Sequence, residues 1–495
     1  MGRIGDRLLW TYLAVAALMW LIWCEVFITD DSYFYLVIAR NIALHGEHSF
    51  SRVIPTNGFH PLWGYLLSAF DYVVALASPG FLDRLVTYVP LAYAVLTAGV
   101  IQLSKFSRNL GAVRIVAVAI PLVFLTYLGV LFSEAHLSFL CLAWLCNRAT
   151  RPTGNDNRDS IVVGIAAGLC FLARLDTAFT VGAILVWYAI HRRSVRTTLS
   201  AFAVCAVVVA SYLASNLYWF DGLMPVSGWM KSTFPTLEFK GFVADRLASS
   251  LFGYSIFFGI GPILAGATVA AWIRPSLSST KSILYPLGLG SLGHFAYIAL
   301  FTRGHTDPYW YYVQPVLFVA IALGVMAGMH LSIRKWGERA SLGLMLITLV
   351  LLVVVRPRSI DETRQFVPEA LAYLERNKIH DSTILASDCP GKLAFHTDNG
   401  VFAVDMLTAG REFHRRMTES GNALTYIRQA AADAGRPLTH VFYMGNIRLL
   451  PSEDRRSLSY FDPRSPQPKL IGRLEVADGL SPPEVVGSII IWRLQ

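Results

Sequence analysis

"PLWGYLLSAFDYVVALA", residues 61–77, decides how this 495-residue chain is threaded. Read as a membrane span, it sends the basic loops to alternating sides. Read as a helix lying flat at the outer surface, it leaves them all on one side. The loops are GRIGDR near the N-terminus, SKFSRNLGAVR (104–114), NRATRPTGNDNR (147–158), HRRSVR (191–196), IRPSLSSTK (273–281) and RKWGER (334–339). Cytoplasmic loops carry the excess of Lys and Arg, so the flat reading is favoured. Trp63, Tyr65 and Tyr72 suit a membrane–water interface, and Asp71 interrupts an otherwise apolar face.

Composition agrees with a membrane protein. The chain is 54% apolar, 13% aromatic and only 15% charged, far from a soluble domain. The first apolar run, Leu8 to Ile28, is too long for a signal peptide and has no small-residue cleavage site before Asp30, so it reads as a retained anchor. The net charge of +9 comes from the short loops, which argues against a nucleic-acid partner. Five of the six cysteines lie in apolar segments and Cys389 stands alone in a polar region, with no disulfide framework and no zinc spacing.

Eleven runs read as spans: 8–28, 85–104, 113–130, 132–147, 161–175, 177–190, 197–219, 251–273, 283–302, 310–332 and 340–355. The expected fold is a polytopic α-helical membrane protein with about 11 transmembrane helices. Its N-terminus is cytoplasmic and its C-terminus extracytoplasmic. A membrane module (1–355) carries a first outer loop (29–84) with two interfacial helices and a second outer loop (220–250). A small soluble α/β domain (356–495) follows. In this tail, helices are expected near 367–377 and 423–434. Strands are expected near 383–386, 401–404, 439–444, 469–473 and 487–492, and about 140 residues can bury a modest core.

The polar motifs gather at the outer ends of the spans. Asp30 and Asp31 in FITDDSYFYLVIARNIALHG (27–46) follow the first run. One could cap the next helix while the other favours its dipole, worth about 1 kcal/mol, or the pair could be catalytic. Tyr33 and Arg40 then share one helical face, and His45-Gly46 ends the helix. In PTNGFHPLW (55–63) two prolines and a glycine fix an irregular backbone around Asn57 and His60, and the imidazole could bind an anion. LFSEAH (131–136) sets Glu134 and His136 between apolar flanks, where ionisable groups are costly and mark function or a partner. FLARLDT (171–177) offers Arg174 and Asp176, either a structural ion pair or an Arg for a lipid phosphate. Lys231 in GLMPVSGWMKS (222–232), with Arg303 and His305 in TRGHTDPYWYY (302–312), completes the set. Together these groups point to an anionic, lipid-embedded substrate approached from outside.

DDSYFYLVIARNIALHGEHSF and TNGFHPLW resemble the first outer loop of the GT-C glycosyltransferases, polytopic enzymes that use polyprenyl-phosphate-linked sugars. The likeness is to bacterial members related to the protein mannosyltransferase, aminoarabinose transferase and mycobacterial arabinofuranosyltransferase groups. It covers the first two hundred residues, and the later spans and tail match in layout. The resemblance implies the GT-C fold with two interfacial helices in the first outer loop. It implies that Asp30 is the general base toward an acceptor hydroxyl and Asp31 its orienting partner or a metal ligand. Glu134 matches the acidic position of a second motif. Arg174 sits where relatives have an A-R-P-D or A-R-P-E sequence, with Leu175 in place of the proline.

The implied reaction is inverting transfer of a sugar from a polyprenyl-phosphate donor to a glycan or lipid acceptor at the outer face of the cytoplasmic membrane. Asp30, Asp31 and Glu134 are the catalytic candidates. Tyr33, Arg40, Asn57, His60, His136, Arg174, Lys231, Arg303 and His305 are the substrate-binding ones. Some relatives use a divalent cation (Mg or Ca), for which Asp31 and Glu134 are the candidate ligands, although two adjacent Asp do not make an octahedral site. The rival readings are a transporter or flippase, for which repeats and midplane charges are expected, and a non-catalytic glycan-binding or assembly protein that would tolerate loss of Asp30.

Overall fold

Helix ends carry the architecture. The computed structural model describes residues 2–128, 130–151, 153–237, 255–276, 278–302, 309–354, 366–387, 389–403, 415, 423–444, 448–453, 457–462, 469–475 and 480–494. Helix α1 (Gly2–Trp23) leads into α2 (Asp30–His45), which stops at Gly46 in the left-handed region (φ 70°), where the amide bonds back to Asn41 and Ile42. This is the backbone stop that glycine permits after a helix. Helix α3 (Pro61–Ala77) starts on a proline, whose fixed φ and missing N–H suit the first helical position.

The helices of the bundle follow as α4 (Val89–Asn109), α5 (Arg114–Val123), α6 (Ala135–Thr150), α7 (Asp156–Ala173), α8 (Ala178–Arg192), α9 (Val195–Phe220) and the short α10 (Val226–Lys231). Beyond it come α11 (Gly261–Ile273), α12 (Leu284–Phe301), α13 (Val313–Met329) and α14 (Leu331–Val354). Each of the eleven expected runs falls on a helix where it is described. Six helical stretches among the described residues are long and apolar enough to cross a membrane: Gly5–Val26, Leu85–Asn109, Val195–Phe220, Thr280–Phe301, Trp310–Met329 and Leu331–Val353. The protein is a multi-pass membrane protein. The other five runs form shorter helices, some extended by a π-helical turn such as Phe124–Leu128 after α5.

Helix α3 is turned inside out relative to a soluble helix. Tyr65, Tyr72, Val73 and Leu76 are exposed, whereas Asp71 is fully buried. An outward apolar face suits a helix lying on lipid. Burial pushes the Asp71 carboxyl up to about 7, and neither of its oxygens has a hydrogen-bond partner among the described residues. The charged form is therefore penalised only in the folded state. The penalty is absent below about pH 4, grows as pH rises through the window up to 7, and is full above it. Asp71→Asn removes it and is expected to stabilise the protein by roughly 3 kcal/mol at pH 8 and hardly at all at pH 4. Thermal unfolding in detergent at the two pH values checks this, and equal gains at both would remove Asp71 as the cause.

The last third of the chain adds α15 (Phe366–Arg376), α16 (Pro390–Phe395) and α17 (Ala423–Asp433) with eight strands. Strands β1 (Thr383–Ala386), β2 (Gly400–Ala403), β3 (Leu438–Tyr443), β7 (Glu484–Val486) and β8 (Ile489–Arg493) form one sheet in the order β2-β1-β3-β8-β7. Its first three strands are parallel and β8 and β7 are antiparallel. Strands β4 (Arg448–Pro451), β5 (Ser457–Asp462) and β6 (Lys469–Glu475) make a separate antiparallel sheet. The five expected strands and two expected helices are present. Strands β4, β5, β7 and helix α16 carry no clear periodicity and were not anticipated.

The expectation of a separate core holds for one face of the main sheet. Leu385, Phe402, Ile427, Val441 and Trp492 pack there, joined by Ile54 of the first outer loop. On the other side Ile384, Ala386, Phe442, Ile489 and Ile491 merge into the apolar core of the helical bundle. Gly400 also meets that loop closely: a Cβ there would lie 2.6 Å from the Ser51 carbonyl oxygen.

Candidate functional site

A chain of ionisable groups runs across one end of the bundle, where α6, α8 and α13 begin and α1, α7, α9 and α12 end. The turn before α6 is pinned from three sides. Ser32 Oγ donates to the Leu131 carbonyl (2.7 Å), Trp63 Nε1 donates to the Phe132 carbonyl (2.7 Å), and the Leu131 amide bonds the Phe27 carbonyl. Phe132 holds φ 67°, a conformation that costs a bulky residue free energy. The buried Trp63 and Ser32 contacts fix it and aim Glu134 inward.

Arg174 is the hub. Its side chain is 2% exposed, and Nη1 donates to Glu134 Oε1 at 2.7 Å. Nε and Nη2 grip the Asp176 carboxylate with bonds of 2.8 to 3.0 Å, the forked geometry that guanidinium offers. The Tyr311 ring covers the guanidinium, 3.9 Å from Cζ to the ring centroid. Behind Asp176 lies His294 Nδ1 at 3.7 Å, which in turn meets Gln314 Nε2 at 3.2 Å. Gln314 Oε1 accepts from the Thr180 hydroxyl. Burial would raise the Asp176 carboxyl, but Arg174 and His294 hold it down at about 2.

In front of this hub stand Asp31, His60 and Lys231. Asp31 keeps accessible surface although protein surrounds it closely enough for desolvation to raise its carboxyl above the ordinary carboxylate range. Glu134 adds to the rise and Lys231 opposes it. That placement is a cleft only in the sense that Asp31 meets solvent on one side and protein on the others. His60 Nε2 is 3.9 Å from Glu134 Oε1, and burial lowers its imidazole despite that carboxylate. It is therefore a neutral group near pH 7. Lys231 Nζ donates to the Tyr311 hydroxyl at 3.4 Å.

The structure thus brings together Asp31, Glu134, His60, Arg174 and Lys231. Asn57 is nearby in a supporting place, its Oδ1 accepting the Val226 amide (3.0 Å) and tying the two outer loops together. His136 is buried edge-on against Trp20 at 5.5 Å. Asp30, Tyr33 and Arg40 face the other way, against α16 of the C-terminal sheet. The Asp30 carboxylate accepts the amides of Gly391 (3.2 Å) and Lys392 (2.8 Å). Tyr33 packs on Phe395, and Arg40 donates to the Ala394 and Phe395 carbonyls and to Asp83. Arg40 also lines a cavity of about 260 Å³ between α2, the first outer loop and Asn399. Arg303 and His305 lie outside the described residues, as does 238–250 of the second outer loop.

Tyr311, His294 and Gln314 were not among the expected residues. Tyr311 sat in an aromatic run that any interface would show, and His294 and Gln314 lie alone within long apolar helices. A buried polar residue in such a helix is itself a signal. Among the described residues no group of three or more His, Cys, Asp or Glu side chains is placed to hold a metal ion. Glu134 Oε1 accepts from Arg174, and no third such side chain joins Asp31 and Glu134 among the described residues.

No model of a known protein family matches the chain, and no curated protein matches it by sequence. Solved structures do. The chain is similar to the crystal structure of ArnT from Cupriavidus metallidurans bound to undecaprenyl phosphate, with 9% identity and a TM-score of 0.55, covering 98% of each chain. It also matches arabinofuranosyltransferase AftD from Mycobacteria at 12% identity and TM-score 0.45, where it covers 98% of this chain and 40% of that one. The R1389S mutant of AftD matches at 13% identity and TM-score 0.44. The ArnT likeness shows that this chain shares the fold of that structure.

Proposed function

We propose that the protein is an inverting glycosyltransferase that moves a sugar from a polyprenyl-phosphate donor to a glycan or lipid acceptor. It works at the outer face of the cytoplasmic membrane, with its N-terminus inside and its C-terminal α/β unit outside. The observation that carries this reading is the solvent-accessible Asp31 carboxylate, set beside Lys231 and the Glu134–Arg174 pair at one end of the helical bundle. Asp31 takes the role the resemblance gives to Asp30, because the Asp30 carboxylate is already bonded to two backbone amides.

In the step proposed, the acceptor hydroxyl oxygen attacks the anomeric carbon from the face opposite the phosphate. Asp31 takes its proton, and the bond to the phosphate oxygen breaks with its electron pair leaving on polyprenyl phosphate. Lys231 offsets the charge that develops there. Arg174 is too fully engaged by Glu134 and Asp176 to clasp a phosphate as well. It holds the back wall of the site instead. Ionisable groups collected at one end of the helices, and no repeat in the sequence, speak against a transport path.

The test is release of polyprenyl phosphate when the purified protein meets a panel of polyprenyl-phosphate sugars with a membrane-glycan extract. Transfer to an added glycan supports the reading, and silence across the panel with intact protein would overturn it. Lys231→Ala is expected to lower kcat/KM for the donor about 10- to 100-fold, the worth of one hydrogen bond to a charged group. A change smaller than twofold would take Lys231 out of the phosphate site.

A further inference from the structure

We propose that Asp30 is a positioning residue, the clamp through which the C-terminal α/β unit fixes Asp31 in the cleft, so that the site is complete only with that unit docked. The proposal rests on the reading of Asp31 given above. Helix α16 is six residues long and begins after Cys389, whose side chain makes no capping bond. Its orphan amides are instead satisfied in trans. Gly391 and Lys392, the second and third helical residues, donate to the two Asp30 oxygens at 3.2 and 2.8 Å, the bonds a capping carboxylate ordinarily supplies from its own chain segment.

The other end of α16 is held by the same helix of the membrane module. Arg40 Nη2 and Nη1 donate to the Ala394 and Phe395 carbonyls, both at 3.2 Å, and its guanidinium lies 5.2 Å from the Phe395 ring centroid. Helix α2 thus presents an anion to the positive end of α16 and a cation to its negative end, the favourable sense at both. The approach is close. A Cβ on Gly391 would lie 2.7 Å from the Asp30 carbonyl oxygen and 3.1 Å from Tyr33 Cβ. Because Asp30 and Asp31 are the first two residues of α2, whatever holds the first fixes the backbone of the second. Adjacent positions on a helix point some 100° apart, so one carboxylate reaches α16 while its neighbour faces the cleft.

Replacing the carboxylate separates this role from chemistry. An asparagine keeps one of the two bonds through its single acceptor oxygen and caps a helix about as well as aspartate, whereas alanine keeps neither, and neither residue can take a proton. Asp30→Asn is expected to keep kcat within about threefold of wild type. Asp30→Ala is expected to lose about 10- to 100-fold in kcat at unchanged donor KM, as for a reacting group displaced by about 1 Å. Gly391→Val, which opens the contact from the other side, should reproduce the alanine result. Amide hydrogen exchange on the full chain reads the clamp without any donor. Protection at residues 30–33 and 391–392 should survive in Asp30→Asn and fall in Asp30→Ala and Gly391→Val.

Asp30→Asn as inactive as Asp31→Asn, with protection intact, would make Asp30 a chemical participant and overturn the proposal. So would full kcat in Asp30→Ala despite lost protection, or unchanged protection in both disrupting variants. If wild type turned over no donor, the reading of the site would fail, and exchange alone would still decide whether the clamp exists.

Discussion

Asp31→Asn is expected to reduce sugar transfer by about 10²- to 10⁴-fold, the usual contribution of a positioned general base, while leaving donor binding and thermal stability close to wild type. The side chain makes no structural hydrogen bond that the amide could not keep, and burial already disfavours its charge. The pH profile carries the same signature. Transfer requires the charged carboxylate, and desolvation with Glu134 nearby outweighs the opposing Lys231, so Asp31 holds its proton to a higher pH than an exposed aspartate. Activity should therefore fall off on the acid side at a pH above the ordinary carboxylate value of about 3.9. Measuring release of polyprenyl phosphate against pH checks both points. A variant that retains wild-type turnover would return the search for the base to Asp30 and Glu134.

Arg174→Ala is expected to be the most destabilising single change near the site. It leaves Glu134 and Asp176 in a desolvated pocket without the guanidinium that both face. Breaking a buried ion pair from one side costs about 3–5 kcal/mol, because the remaining charge stays buried. Arg174→Lys should recover little, since a single ammonium cannot fork onto Asp176, reach Glu134 and stack under Tyr311 at once. Both variants should also lose activity, as the back wall of the cleft slackens. Melting curves in detergent against the double variant Arg174→Ala/Glu134→Gln provide the check. Neutralising Glu134 should return part of the lost stability, and equal melting temperatures for wild type and Arg174→Ala would show that the hub holds nothing.

The bundle was legible in the sequence because apolar runs of membrane length need no partner to be recognised, and the expectation that residues 61–77 lie flat came from the basic loops alone. Helix α3 turns Asp71 inward and leaves Tyr65, Tyr72, Val73 and Leu76 outside, a face that lipid would cover whether the helix lies flat or crosses. The site was legible as a set of motifs, and Asp31, His60, Glu134, Arg174 and Lys231 do converge. What the sequence could not show is which way two adjacent carboxylates point. The choice between Asp30 and Asp31 depends on Gly391, and nothing in either segment announces the other. The capping role that seemed the plain alternative for this pair is real, but the helix capped is α16 and not α2. His294, Gln314 and Tyr311 were hidden for a related reason: a single polar residue in an apolar helix declares itself only when its neighbours are known.

The bond between Asp30 and Lys392 joins residues 362 positions apart in the chain. At a synthesis rate of about 5–20 residues per second, the first outer loop emerges roughly 20 to 70 s before the segment that will cap onto it and cover Ile54. For that interval the ribosome-bound intermediate lacks the two amides that hold Asp30, so on the clamp proposed above Asp31 gains its final placement only after Gly391 and Lys392 have been made.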